Sequence, residues 1–393
     1  MASLQIFLPL LFILNLLSVH AQIQIPVTKD PSTLQYLTQI KISQIPTNLV
    51  IDLSGSFLWL DCKNFHRRII PSCSIECSMA KPGKNSCNKL SSCDLLTENV
   101  ITQLLKTGVL TESKLTLRSV SNSGRNINSG DFLFACAPNS LLNGLPSGVQ
   151  GMLGLGRTPI ALTSQLASAF DFPKKFSTCF SSSNGVILFG NVGSDSVSDP
   201  ELLRSLTYTP LVKNPDGNSQ EYLIKVNSVK IGGKRLEGII GTTKISSVVP
   251  YTILESSIYE EFIKVYLKDA KAMNLTKVPP VSPFGLCFSS KGVEKSKLGP
   301  VVPVIDLVLQ SEMVKWRFHG RNSMVEVNDE VMCLGVLDGG LGLKNSIVIG
   351  GFQLEDTLLE FDLSTSMLGF SLPLLMRNNS CSNLLLDSMV ESL

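Results

Sequence analysis

The sequence predicts a mainly β protein made of two related lobes, and three observations carry that prediction. Short runs rich in Val, Ile, Leu, Phe and Thr recur between clusters of Gly, Pro, Asn and Ser. Helical periodicity is confined to two stretches. A strand–turn word in the first half also returns in the second half with one residue changed.

The strand runs come in order as LVID (49–52), FLWLDC (57–62), KLTLRSV (114–120), DFLFACA (131–137), VILFGN (186–191), LTYTPLV (206–212), EYLIKVNSVKI (221–231), SIVIGG (346–351), LLEFDL (358–363) and MLGFSL (367–372). Each is bounded by residues that break or turn the chain. The first helical stretch is LTSQLASAF, Leu162 to Phe170. The second runs from Ser256 to Met273 and is expected to bury Ile258, Phe262, Val265 and Tyr266 while Glu260, Lys264, Lys268 and Lys271 face water.

The repeat appears at Asp52 and Ser246. Asp52 ends one strand run and is followed, at a similar distance, by Gly154 in QGMLGLG; Ser246 ends another and is followed by Gly350 in SIVIGG. Two turn residues, each with a later apolar-apolar-Gly segment, predict an internal twofold duplication. A loop with Pro and Gly near PLVKNPDGN marks the join. The expected divisions are a leader over 1–21, one β-lobe over 22–206 and a second over 207–393.

A chain of 393 residues with 44% hydrophobic and 17% charged content can fill two cores. The net charge of +2, with no basic stripe, argues against nucleic acid as a partner. Ile6 to Val19 is apolar but short for a span, and Val19-His20-Ala21 ends it with a small residue, which reads as a cleaved export signal. The tail carries Asp387 and Glu391, so no membrane or lipid anchor is expected. The mature protein is therefore expected to be secreted to the extracellular space (the apoplast or cell wall), and to be a monomer. The short stretch from Ala21 to Asp52 is expected to leave no room for an inhibitory prosegment.

Ten cysteines on an oxidising route predict disulfides. Cys62, Cys73, Cys77, Cys87 and Cys93 crowd together, with Cys136 further on. No histidine lies at ligand spacing beside them, so disulfides are favoured over zinc, and neither metal nor cofactor is expected. Asn274-Leu275-Thr276 and Asn378-Asn379-Ser380 are acceptor sequences for N-glycosylation.

DLSGSFLWLDC (52–62), GMLGLGRTPIALTSQL (151–166), FSTCF (176–180), VILFGN, YLIKVNSVKIGG, PYTILESSIY (250–259), FGLCFSS (284–290), CLGVLDGG (333–340) and IVIGGFQLEDTLLEFDLSTSMLGFS (347–371) stand in an order that resembles the plant pepsin-type aspartic proteases. The likeness covers roughly 23–381. Within that clan it is similar to the non-proteolytic branch, which holds the extracellular dermal glycoprotein of carrot, the basic globulins of legume seeds, and inhibitors of xylanases and xyloglucan endoglucanases.

The resemblance implies a bilobal pepsin-like fold whose two lobes each present one Asp in an Asp-Thr/Ser-Gly turn. Asp52 matches the first aspartate, and Ser246 falls on the second. Ser54 stands where the first turn has glycine, with Gly55 one residue late. Val248 stands in the second glycine's place, and Pro250 replaces a threonine. The flap tyrosine of active relatives is absent between Asp94 and Leu117. Cys287 and Cys333 match the family's bridge in the second lobe. If the clustered cysteines and Cys136 close among themselves, Cys179 and Cys381 are left for each other, tying the C-terminal tail to the first lobe.

In the active version two aspartates share one proton because neighbouring like charges cannot both ionise. A serine hydroxyl is too weak an acid or base to replace one. General acid and base assistance each give roughly 10²–10⁴-fold, so the loss of one costs about 3–5 kcal/mol of barrier. No proteolysis is expected. Other chemistries are weaker still: no Gly-x-Ser-x-Gly elbow accompanies His66 and His319, and GGLGLK (339–344) lacks the ending of a phosphate loop. Trp59 and Trp316 read as core. The expected function is binding and inhibition of a secreted microbial glycoside hydrolase. Arg317, His319, Arg321 and Arg377 are candidates by charge and lobe alone to meet its paired carboxylates. Each also reads as an ordinary solvated cation, so none is assigned as an inhibitory residue. The alternative is a non-inhibitory binding or storage-like wall glycoprotein.

Overall fold

The computed structural model describes residues 23–63, 65–82, 90–119, 126–190, 200–213, 220–236 and 241–384. The expected leader and Cys87 lie outside them. Among the described residues, six antiparallel strands within a continuous 19-stranded sheet form the spine. Ile23–Lys29 pairs with Asn184–Phe189, which pairs with Lys175–Cys179. Lys175–Cys179 pairs with Leu358–Asp362, with Thr178 opposite Leu359, and Met367–Phe370 and Thr207–Val212 complete the order. The two inner strands come from opposite halves of the chain, so the halves share main-chain hydrogen bonds.

The alternation of the sequence is visible in burial. Asp94–Asn99 alternates exposed and buried, and the strand Ile45–Asp52 turns fully buried over its last four residues. That change marks a strand covered on both faces. EYLIKVNSVKI is two strands, not one. Leu223–Lys225 pairs with Thr242–Ile245, whereas Ser228–Ile231 joins a separate four-stranded sheet against Ile305–Val308. The break falls at Asn227, whose N–H donates to the Val308 carbonyl.

The longer helix runs Ser256–Ala272 and buries Ile258, Phe262 and Tyr266. Val265 is only partly buried, and Asp269 lies under the helix instead, paired with Lys234. Leu162–Phe170 forms the shorter helix. Both tryptophans are buried, Trp59 at 3% and Trp316 at 2% exposure. No described helix is long and apolar enough to cross a membrane.

Disulfides join Cys62 to Cys136, Cys77 to Cys93, Cys179 to Cys381 and Cys287 to Cys333. Cys73 is also disulfide-bonded. The Cys179–Cys381 bridge fastens the tail to a strand of the central sheet.

Candidate functional site

The two repeated words meet at the centre of the molecule. Ile45–Asp52 runs parallel to Gly151–Gly154 with Asp52 opposite Gly154, and the Leu155 N–H donates to the Asp52 carbonyl at 2.9 Å. Thr242–Ile245 likewise runs parallel to Ile347–Ile349, and the Ser246 N–H donates to the Ile349 carbonyl at 3.0 Å. The glycines after each apolar pair are a packing requirement. A Cβ on Gly154 would stand 2.4 Å from the Phe57 carbonyl oxygen, and one on Gly350 would stand 2.3 Å from the Tyr251 carbonyl carbon. Each half thus ends a strand with the same device and delivers its turn residue to the interface.

One hydroxyl locks the turns together. Ser247 Oγ donates to the Ile51 carbonyl at 2.7 Å and accepts from the Leu53 N–H at 3.1 Å, both buried. This contact between the residue after Ser246 and the residues flanking Asp52 sets the two turns against each other. The twofold repeat would place the reciprocal hydroxyl at position 53, but Leu53 is there, fully buried in the apolar core. Val248 packs against the first half's cluster of Val50, Trp59, Met152 and Ile160. Sequence reasoning weighed the residues of both dyad positions and missed Ser247. An adjacent hydroxyl after Ser246 was the available signal.

Asp52 is 5% exposed. Its Oδ1 accepts from the Ser54 N–H at 3.0 Å. A Cβ on Gly55 would come within 2.9 Å of Asp52 Oδ2 and of Gly154 Cα, so the late glycine leaves room for the carboxyl. Burial raises the Asp52 pKa above the ordinary carboxylate value, opposed by the charge of Lys244 and the Ser54 amide. Lys244 is itself held by Glu221 at 2.8 Å. Ser246 is 2% exposed, and its hydroxyl accepts from the Val249 N–H at 3.3 Å, closing its own turn. Among the described residues no carboxyl group hydrogen-bonds to Asp52.

Further contacts fix the surroundings. Asn99, at the tip of the hairpin between Asp94–Asn99 and Leu104–Ser119, is fully buried. Its Nδ2 donates to the Leu141 and Asn143 carbonyls at 2.8 and 2.9 Å, and its Oδ1 accepts from the Ile101 and Thr102 N–H groups. Two of these bonds pin the hairpin to the turn beside it, and the other two close the hairpin's own loop. Tyr222 Oη donates to the Leu155 carbonyl at 2.6 Å with the Arg157 guanidinium over its ring. Tyr36 Oη bonds Gly351 and Glu355, and Lys29 pairs with Glu355 at 2.6 Å. The Tyr222, Tyr36 and Lys29 contacts each join a residue of one half to a residue of the other.

The four candidate cations are not equivalent. Arg317 forms a two-pronged pair with Asp306 at 2.6 and 3.0 Å, and Arg321 lies 3.5 Å from Asp356. His319 is half-buried at the start of the short helix Gly320–Ser323, and burial, with Arg317 adding to it, lowers its pKa. Arg377 is exposed at the end of the turn Leu374–Arg377, where Leu372 and Met376 are 60% and 51% exposed. Buried Leu374 and the Cys179–Cys381 bridge anchor that turn. His66 is exposed. No group of three or more metal-ligating side chains occurs among the described residues.

Residues 36–191 match the family model described as xylanase inhibitor N-terminal, and residues 221–372 match xylanase inhibitor C-terminal. The chain is 42% identical to "Probable aspartic proteinase GIP2" of Nicotiana benthamiana, over 91% of this chain and 90% of the relative. It is 40% identical to gamma conglutin 1 of Prunus dulcis, over 91% and 88%. Its fold is similar to the crystal structure of EDGP, with a TM-score of 0.87 and 43% identity over 93% of this chain and 98% of the other. It is also similar to basic 7S globulin from soybean, with a TM-score of 0.81 and 32% identity over 93% and 99%. The chain belongs to the xylanase-inhibitor family, whose members share the bilobal pepsin-like fold.

Proposed function

We propose that this protein is a catalytically inactive aspartic-protease relative that binds a secreted microbial glycoside hydrolase, of the endoglucanase or xylanase class, and inhibits it. The observation that carries the inactive half of this reading is the Ser247 bridge to Ile51 and Leu53. It ties the second turn to the residues on either side of Asp52, which supports reading Ser246, whose hydroxyl accepts from the Val249 N–H, as the counterpart of a second aspartate. A lone buried carboxyl lacks the partner that would divide acid and base roles.

The inhibitory half rests on the family models that cover both halves and on the turn at Leu374–Arg377. A glycoside hydrolase cleft presents two carboxylates, and arginine binds such oxygens with directed, charge-assisted hydrogen bonds. Arg377 flanked by exposed Leu372 and Met376 offers one cation with apolar shoulders. Its anchors reduce the entropy lost on docking. In this reading residues 1–21 are an export leader, and 22–206 and 207–393 are the two lobes of an extracellular monomer.

The test mixes the purified protein with a panel of secreted xylanases and endoglucanases and measures their turnover. Inhibition of at least one, abolished by Arg377→Glu without loss of folding, is the expected result. Failure against the whole panel at micromolar excess favours the second reading, a non-inhibitory binding or storage-like protein. The relatives named gamma conglutin and basic 7S globulin support that alternative. Digestion of denatured globin at acid pH would overturn both.

A further inference from the structure

The helix Ser256–Ala272 ends in a left-handed residue. Asn274 has φ 59°; its N–H donates to the Lys271 carbonyl at 3.1 Å, and the Leu275 N–H donates to the Ala270 carbonyl at 2.9 Å. This pair of bonds is the Schellman cap, in which the left-handed position takes glycine or asparagine. The cap explains the backbone of Asn274 and leaves its carboxamide over: the side chain is exposed and makes no hydrogen bond among the described residues.

That side chain borders a hollow of about 290 Å³ whose wall also includes Met273, Thr276, Lys291, Glu294 and Val301. Met273 and Val301 are 39% and 38% exposed, two large apolar groups left open beside polar ones. The volume is close to the lower end of small-ligand sites, roughly 300 Å³. Asn274 is the acceptor of the sequence Asn274-Leu275-Thr276.

We infer that Asn274 carries an N-linked glycan whose first N-acetylhexosamine is seated in this hollow. The apolar ring face covers Met273 and Val301, and the hydroxyl and acetamido groups meet Lys291 and Glu294. The transfer forms a bond between Asn274 Nδ2 and the anomeric carbon of a lipid-diphosphate-linked oligosaccharide. The anomeric C–O bond to the diphosphate breaks, and the amide proton leaves with the released lipid diphosphate. Donor and transferase are those of the export route. The inference does not extend to Asn378, whose Oδ1 accepts from Lys297 Nζ at 2.5 Å just before bridged Cys381.

The test expresses residues 22–393 behind an established export leader in plant leaves, so its outcome does not depend on the native leader or on inhibition. Glycopeptide mass spectrometry is expected to find N-acetylhexosamine on Asn274. Trimming the glycan to one sugar should leave amide exchange over 291–301 as slow as in the intact form. In Thr276→Ala, which loses the acceptor but keeps the cap, the same amides should exchange several-fold faster. Asn274→Gly, which removes the sugar and suits the left-handed position, should match Thr276→Ala in exchange. An unmodified Asn274 peptide overturns the proposal. So does a glycosylated protein whose exchange over 291–301 equals that of both variants, because its sugar would then stand free in solvent.

Discussion

The two turns at the centre of the molecule are built on the same strand pairing, and each has a group that the other lacks. The first retains the carboxyl of Asp52 but has Leu53 where a bridging hydroxyl would stand. The second has the bridging hydroxyl of Ser247 and, at the position matching Asp52 in the repeat, the serine Ser246. The hydroxyl that holds the lobes in register persists in one copy, which suffices because a single Oγ reaches both Ile51 and Leu53. Proteolysis by paired aspartates, by contrast, needs two ionisable groups with different proton occupancy.

The largest expected effect comes from the element both turns still share. Gly154→Ala and Gly350→Ala each drive a Cβ into main-chain atoms that cannot swing away. Each should cost about 3 kcal/mol, the upper end for overpacking, read from the midpoint of urea unfolding. Equal losses would show that the two halves remain energetically equivalent at this layer.

Ser247→Ala should cost about 1–3 kcal/mol, because the Leu53 N–H is left buried without an acceptor. Ser247→Thr keeps the hydroxyl and should cost far less. If the alanine variant unfolds at the wild-type midpoint, the bridge does not set the register of the two turns.

Ser246→Asp sharpens the contrast most directly. It restores a second carboxyl but not Leu53, Ser54 or Val248, so globin digestion should stay at background. A second carboxylate beside Asp52 raises the folded-state pKa values of the pair. Raised carboxyl pKa values give stability that is present below the unfolded values and lost as pH rises. The variant should therefore match the wild type near pH 3 and melt below it at pH 7. Proteolysis by this variant would show that one residue alone separates this chain from an active enzyme.

The smallest effect is expected at Asp52 itself. Burial raises its pKa above the ordinary value of 3.8, so ionising it costs stability as pH climbs through the raised value. Asp52→Asn keeps an oxygen for the Ser54 N–H and removes that cost. It should melt slightly higher than wild type at pH 7 and equally at pH 3, without change in hydrolase inhibition. In a two-aspartate enzyme the same change would remove activity.

Much of this could be read along the chain. The strand runs, both helices and the repeated words are local patterns, set by which residues alternate or recur at helical spacing. The absence of an acid at position 246 is equally local. The pairing of Arg317 and Arg321 could not be read along the chain because nothing near them in sequence announces Asp306 or Asp356 as partners. Asn99 went unnoticed because its acceptors are carbonyls of a turn elsewhere in the same half.

By itself, the sequence determined the β-rich class, the repeated words and the serine at 246, since each depends on residue type and near-neighbour spacing. Only the tertiary structure decided that Ser247 joins residues 194 and 196 positions away, that Asn99 rivets its hairpin, and that Arg317 is paired with Asp306. The reason is physical. A buried hydrogen bond or ion pair is specified by two groups brought within reach by folding, and neither carries a mark of the other before the chain has closed.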